Sequence, residues 1–466
     1  MTIAVPHPDQ SPVPPGPDEV SVRRSRQRRG AALWASILAT ATVSFNMTRV
    51  AGVTVSDLLY VASAAIVIAK LIVGDDRFLT PRRYRASSQI VLAGTMLVVT
   101  GGTLSSFGSW TPLASMMVVV RMAWSTLIWF WILRSVCPGR EALLALVRAW
   151  RFTVLASATI ALLGAYAGVR FNAQDFGDSR QPGLTFHPGE LMNFLITGFF
   201  LFLVPVFVPS QRSNRRFAAA WWSVGTAVVM LAIFTTGSTS GLLAIVVAIP
   251  VVLAAATYAG RSGLRRRTTP LVPMVTVGAA LLGLGVLLTS DLAIAERLTG
   301  YADGGDSNLE ESIASRTEVN EAILADFDRY LFLGAGPTFF GGAAESAVAT
   351  GSNSEYGNIH NMHLKMLHES GLPALTGLWI IIFAVGRQAL RLVVATRGTD
   401  LYPVSLMLLG AFVAANVSSM FGPVTYARHF WLPFALIGCL WVVRRRELHA
   451  AALQRAPSSS PASLRP

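Results

Sequence analysis

The chain has 466 residues, 53% of them hydrophobic and 14% charged. Soluble domains carry roughly a quarter charged residues, so the composition excludes an ordinary soluble fold and points to a membrane protein. The formal net charge of +13 would suit a nucleic-acid binder, but the arginines gather in short stretches between apolar runs. No basic surface interleaved with aromatics appears, so no nucleic-acid partner is expected.

Residues 1–29 are proline-rich and then arginine-rich, too long and polar for a signal peptide, and read as a disordered cytoplasmic tail. Apolar runs long enough to span a bilayer follow at 31–47, 54–73, 88–107, 112–133, 151–170, 189–209, 218–235, 241–260, 270–289, 371–390, 401–420 and 428–443. The predicted fold is all-α and polytopic, with about twelve transmembrane helices in one domain. Alternate connections receive the arginines, as at Arg82, Arg83 and Arg85, at Arg212, Arg215 and Arg216, and at Arg265, Arg266 and Arg267. The intervening connections, such as 108–111 and 236–240, are nearly free of them. The positive-inside rule then places both termini in the cytoplasm and makes 171–188 and 290–370 extracytoplasmic. The predicted order is a tail over 1–29, helices one to nine over 30–289, and a large extracytoplasmic loop with short helices over 290–370. Helices ten to twelve follow over 371–446, and a second disordered tail over 447–466. Cys137 and Cys439 fall outside the predicted exterior loops, so no disulfide is expected.

Within the large loop, Ser307-Asn308-Leu309-Glu310 fits a capping box, and Leu309, Ile313, Ile323, Leu324 and Phe327 continue at helical spacing. Arg316 projects near the centre of that apolar stripe beside Asn320, whereas Arg329 falls on the opposite, solvent face. An arginine on a buried face needs an anionic partner, either a bound anion or a carboxylate of this acidic loop. Gly334-Ala335-Gly336-Pro337 ends the helix as a tight turn and lacks the Gly-Lys-Ser/Thr of a phosphate loop. The loop closes with His360-Asn361-Met362-His363-Leu364-Lys365-Met366-Leu367-His368-Glu369-Ser370-Gly371, which sets three imidazoles, an amide, an ammonium and a carboxylate at the mouth of a span. Such groups either mark a site or anchor an interfacial helix. Lys365 and Glu369, at i,i+4, read as a helix-surface pair, and His368 as interfacial packing. Arg121 lies midway along the fourth run and is either an anion contact in a membrane cavity or a snorkelling side chain. No metal is expected, because His-x-x-His stands here without His-Glu-x-x-His or a cysteine partner. No Gly-x-Ser-x-Gly elbow supports a serine hydrolase either.

Taken in order, these segments resemble the O-antigen ligase and O-antigen polymerase family, membrane glycosyltransferases that act on polyprenyl-diphosphate-linked sugars. The family pattern of His, Asn or Ser, nine residues and Gly-x-x-Gly is met by His360-Asn361 and then Gly371-Leu372-Pro373-Ala374, with Ala374 replacing the final glycine. Arg316 followed by Gly334-Ala335-Gly336 matches the family's helix arginine and Gly-x-Gly turn. Arg180-Gln181-Pro182-Gly183-Leu184-Thr185-Phe186-His187-Pro188 resembles its Arg-x-x-Gly…Pro segment. The resemblance covers about residues 170–385. It departs at Gly237-Ser238-Thr239-Ser240-Gly241, where Thr239 occupies the position of an arginine in many relatives.

The resemblance implies transfer of a glycan from a polyprenyl-diphosphate donor to a glycan or lipid acceptor at the outer face of the cytoplasmic membrane, as polymerase or ligase. The donor's diphosphate is its own activation, so no cofactor is expected. By the same resemblance, Arg180 and Arg316 bind the diphosphate, with Arg121 a further candidate, and His360 is the base. Asn361, His363, Gly334, Gly336 and Gly371 support them. The residue types suit the chemistry: an arginine fork holds a leaving diphosphate, and a histidine titrates near working pH. His363 either orients His360 or contacts sugar. The alternative is a transporter or flippase of lipid-linked glycans, which would set paired polar groups and broken helices at the membrane midplane in repeated halves. Here the polar residues gather in two exterior loops without an internal repeat. A scaffold for polysaccharide assembly would leave Arg316 and the histidines without a role.

Overall fold

Long runs of Leu, Val, Ala and Ile leave the backbone's polar groups one local solution in apolar surroundings, the α-helix. In a computed structural model, residues 30–45, 54–74, 85–109, 111–137, 139–169, 181–185, 187–207, 215–261, 359–422, 424 and 427–455 are described, with 317, 321, 323–325 and 327–337 of the large loop. The described residues are all-α, without a strand. The helices are α1 (Gly30–Ala41), α2 (Val55–Ile72), α3 (Arg85–Phe107), α4 (Pro112–Ala123), α5 (Trp129–Val136), α6 (Arg140–Ala167) and α7 (Pro188–Phe207). Then come α8 (Arg215–Thr235), α9 (Thr239–Arg261), the short α10 (Phe327–Tyr330), α11 (Met362–Ala395), α12 (Tyr402–Ser418) and α13 (Arg428–Arg455). A π-turn over Trp124–Ile128 joins α4 to α5.

Every predicted span overlaps a helix except 270–289, which lies outside the described residues. Among the described residues, seven helical segments are long and apolar enough to cross a membrane, while those at Gly30–Ala41, Ala220–Thr235 and Tyr402–Ser418 are shorter. Several boundaries move. The helix predicted from 151 begins at Arg140, because Arg140, Glu141, Arg148 and Arg151 are good helix formers that an apolar pattern passes over. The last helix continues to Arg455, past Arg446.

Helix α7 runs through the middle of the core, with Phe194, Leu195, Ile196, Phe199 and Phe200 buried. Small residues let its neighbours approach: a Cβ at Gly198 would lie 2.3 Å from Val154 of α6, and one at Gly410 of α12 would lie 2.3 Å from Phe200. Helices α3 and α11 pack closely by the same device, since a Cβ at Gly94 would meet the Gly377 carbonyl at 2.7 Å.

The two ends of the bundle differ in chemistry. At one end Arg140 pairs with Asp400 at 2.5 Å, Arg444 Nε donates to the Ala395 carbonyl at 2.8 Å, and Arg151 stacks on Trp222 at 4.3 Å. At the other, Thr54 caps α2 and Asp57 binds Arg428 at the start of α13. There too Gln181 N donates to the Thr235 carbonyl at 3.1 Å and Met362 N to the Ser419 carbonyl at 2.9 Å. This second end carries the candidate site.

Candidate functional site

His360 stands on a clamped piece of backbone. Before it, Ile359 is fully buried against Ile323 of the large loop and Leu364. After it, Asn361 caps α11, its side-chain oxygen accepting from the amides of His363 at 2.9 Å and Leu364 at 3.2 Å. The Met362 amide is held by Ser419, and that of Lys365 by the Asn361 carbonyl at 2.8 Å. The amides of Met362, His363 and Leu364, which a helix start leaves open, are therefore engaged within the protein. His360 itself is half-buried, held firmly yet reachable.

Helix α11 is two helices joined at Gly371. This residue has φ 72° and ψ −179°, open only to glycine, and Pro373 follows just inside the second helix. In one continuous helix His363 and Trp379 would stand about 24 Å apart. Instead the Trp379 indole donates to His363 Nδ1 at 3.1 Å, so the first half-helix, 362–370, folds back toward the second.

The open end of the half-helix is closed by the glycine turn. Ala335 N donates to the His368 carbonyl at 2.7 Å, Gly336 N to that of Glu369 at 2.9 Å, and Leu372 N to that of Leu331 at 2.8 Å. These bonds satisfy carbonyls that a helix C-terminus leaves open. The fit requires missing side chains: a Cβ at Gly334 would lie 2.5 Å from the Glu369 carbonyl, and one at Gly371 would lie 2.3 Å from that of Phe332. Gly336 presses on Ser109 at the end of α3, whose hydroxyl accepts from Ser115 of α4 at 2.8 Å.

Lys365 and Glu369 do not form a surface pair, which corrects the sequence reading. They meet at 2.7 Å with side chains 2% and 3% exposed. The i,i+4 spacing is the same on either face of a helix; the turn and α3 bury this one. His368 is buried and packs edge-on to Tyr330 at 5.1 Å between ring centroids. Arg329 is exposed, over the Tyr330 ring at 5.2 Å.

Two further segments meet at this end. The chain at 181–185 turns at Gly183, with Thr185 Oγ donating to the Pro182 carbonyl at 2.7 Å, and docks by its Gln181 amide on the last turn of α8. Gly237 and Thr239 follow directly, so residues 181–185 adjoin the turn that leads to Thr239. Gly164 of α6 makes room for the Gln181 side chain.

The structure thus sets His360, Asn361 and His363 at one end of the half-helix and Gly334, Gly336 and Gly371 at the other. Arg180 and Arg316 lie outside the described residues. Arg121 is half-buried on α4, two residues after Val119, which packs at Gly102 of α3. Two residues turn a helix by about 200°, so Arg121 faces away from that contact. Sequence reasoning passed over Trp379, Ser419 and the Asp57–Arg428 pair, which no local spacing links to the histidines. Among the described residues no three His, Cys, Asp or Glu side chains converge as a metal site requires.

The O-antigen ligase family model matches residues 224–379. That segment includes the later part of α8, α9, the glycine turn and the half-helix, and ends at Trp379. No curated protein matches the chain. With helices apolar enough to cross a bilayer within and beside the matched segment, the chain is a multi-pass membrane protein that carries a segment similar to the O-antigen ligase family.

Proposed function

We propose that the protein transfers a glycan from a polyprenyl-diphosphate donor to an acceptor hydroxyl at the outer face of the cytoplasmic membrane, as polymerase or ligase. One observation carries this reading beyond the family match. His360, distant in sequence from the Gly334-Ala335-Gly336 turn, heads a half-helix whose other end that turn holds. A half-buried imidazole on backbone held from both sides suits a general base.

In the reaction the acceptor oxygen attacks the anomeric carbon, the bond from that carbon to the diphosphate oxygen breaks, and His360 takes the hydroxyl proton. The polyprenyl diphosphate leaves with its extra charge held by Arg180 and Arg316, with Arg121 a further candidate. A leaving diphosphate suits guanidinium groups, whose charged N–H forks grip phosphate oxygens. The arginine-rich end of the bundle faces the cytoplasm in this reading, with both termini, and the His360 end faces outward.

The test is reconstitution of the full chain in proteoliposomes with a lipid-linked oligosaccharide and an acceptor. New glycosidic bonds, lost in His360→Ala, are expected. Movement of the donor between leaflets without bond formation would assign the protein to transport instead.

A further inference from the structure

Trp379 stands about two turns beyond Gly371, and its side chain is 49% exposed, so packing alone does not account for it. Phe383 meets it edge-on, with 6.3 Å between ring centroids and an 88° angle between planes, and helps fix the indole's direction. The indole N–H donates to His363 Nδ1 at 3.1 Å, across the fold at Gly371.

An indole nitrogen only donates. Nδ1 of His363 therefore accepts, its lone pair is occupied, and the proton of the neutral ring resides on Nε2. A histidine held this way is poorly suited to take a proton at Nδ1 and well suited to give a hydrogen bond from Nε2. It lies three residues from His360, in the first turn of the half-helix, and is half-buried.

Resting on the glycosyltransferase reading, we infer that Trp379 is a positioning residue that locks His363 with its proton on Nε2. His363 thereby becomes a fixed hydrogen-bond donor to a substrate oxygen and not a second base. The oxygen belongs to a sugar or to the diphosphate; both accept from an N–H. The division of labour follows from the partners: His360 takes the proton, and His363 holds an oxygen beside it.

The first arm reads the tautomer without any transfer assay. Full-length protein labelled with ¹⁵N in its histidine rings is reconstituted in bilayers, and His363 is assigned by difference against His363→Gln. An unprotonated Nδ1 and a protonated Nε2 are expected, changing to a tautomer mixture in Trp379→Phe. A protonated Nδ1 in the native chain, or an unaltered signal in Trp379→Phe, overturns the lock.

The second arm reads the donor role. Adding inorganic pyrophosphate shifts the Nε2 signal if a diphosphate oxygen is the acceptor. If it does not, a raised KM for the glycan acceptor in His363→Ala assigns a sugar oxygen. Loss of one such hydrogen bond lowers kcat/KM roughly tenfold in His363→Ala, and less in His363→Gln, whose amide restores an N–H. Equal losses in the two variants, with no pyrophosphate shift, remove His363 as a donor. Absence of transfer in the native chain would count against the glycosyltransferase reading alone, because the tautomer arm still decides the lock.

Discussion

The amide of Gly336 donates to the carbonyl of Glu369 at 2.9 Å, so a loop glycine closes the helix that His360 heads. The two ends of the half-helix are thus fixed by different parts of the chain: Ser419 and Asn361 at the histidine end, the glycine turn at the other. Anything that displaces the turn should move His360 as well.

Gly334→Ala tests that coupling. Gly334 has φ 76°, where an L-residue costs roughly 1–2 kcal/mol. Its new methyl would also press on the Glu369 carbonyl at 2.5 Å, adding about 1–3 kcal/mol of overpacking. Gly398, at φ 72° with open space for 4 Å around an added methyl, isolates the first effect. Thermal unfolding in detergent should show a clearly larger Tm drop for Gly334→Ala than for Gly398→Ala, and transfer should fall only in the former. Equal drops would mean that the turn is not pressed against the half-helix.

The Lys365–Glu369 pair should behave as a buried one. Lys365→Met strands the Glu369 carboxylate at a site 2% exposed, which costs about 3–5 kcal/mol. Lys365→Met combined with Glu369→Leu removes both charges and should recover most of that stability. A double-mutant cycle on urea or thermal unfolding measures the coupling; a value near zero would return the pair to the surface.

The all-helical fold was legible in the sequence because length and apolarity decide a span, and neither depends on which helix packs on which. Arg329 on the solvent face was legible too, being set by the helical period alone. What escaped depends on contacts between distant segments. Gly371-Leu372-Pro373 announces the start of a span but not the angle at which the preceding half-helix folds back, and that angle is what brings Trp379 to His363. Asp57 and Arg428 meet across 371 residues of chain, and each alone resembles an ordinary charge at a helix end. The burial of Lys365 was invisible because its spacing from Glu369 is the same on a wet face and a dry one.

His360 and His368 should separate activity from stability. His360 is half-buried before the helix, so His360→Ala should abolish transfer while shifting stability by less than about 1 kcal/mol. His368 is buried against Tyr330, so His368→Ala should lose about 1–3 kcal/mol and retain measurable transfer at low temperature. Transfer and Tm measured on both variants decide the matter. Equal loss of transfer in the two, at temperatures where both are folded, would remove His360 as the base.

Arg316 presents the sharpest choice between binding and structure. Helical spacing in the sequence predicts that Arg316 shares a face with Ile323, seven residues later, and Ile323 is 3% exposed. If Arg316 holds the diphosphate, Arg316→Lys keeps the charge but loses the planar two-pronged grip, so transfer should fall steeply with Tm nearly constant. If it is half of a buried ion pair, Arg316→Ala strands a carboxylate and should cost about 3–5 kcal/mol, taking folding and activity down together. Arg329→Ala is the control, since that side chain is exposed and only stacks on Tyr330. The expected pattern is a large transfer loss in both Arg316 variants, small Tm changes in all three, and normal transfer in Arg329→Ala. A large Tm drop in Arg316→Ala with near-normal transfer in Arg316→Lys would make the residue structural, leaving Arg180 and Arg121 as the remaining candidates to carry the diphosphate.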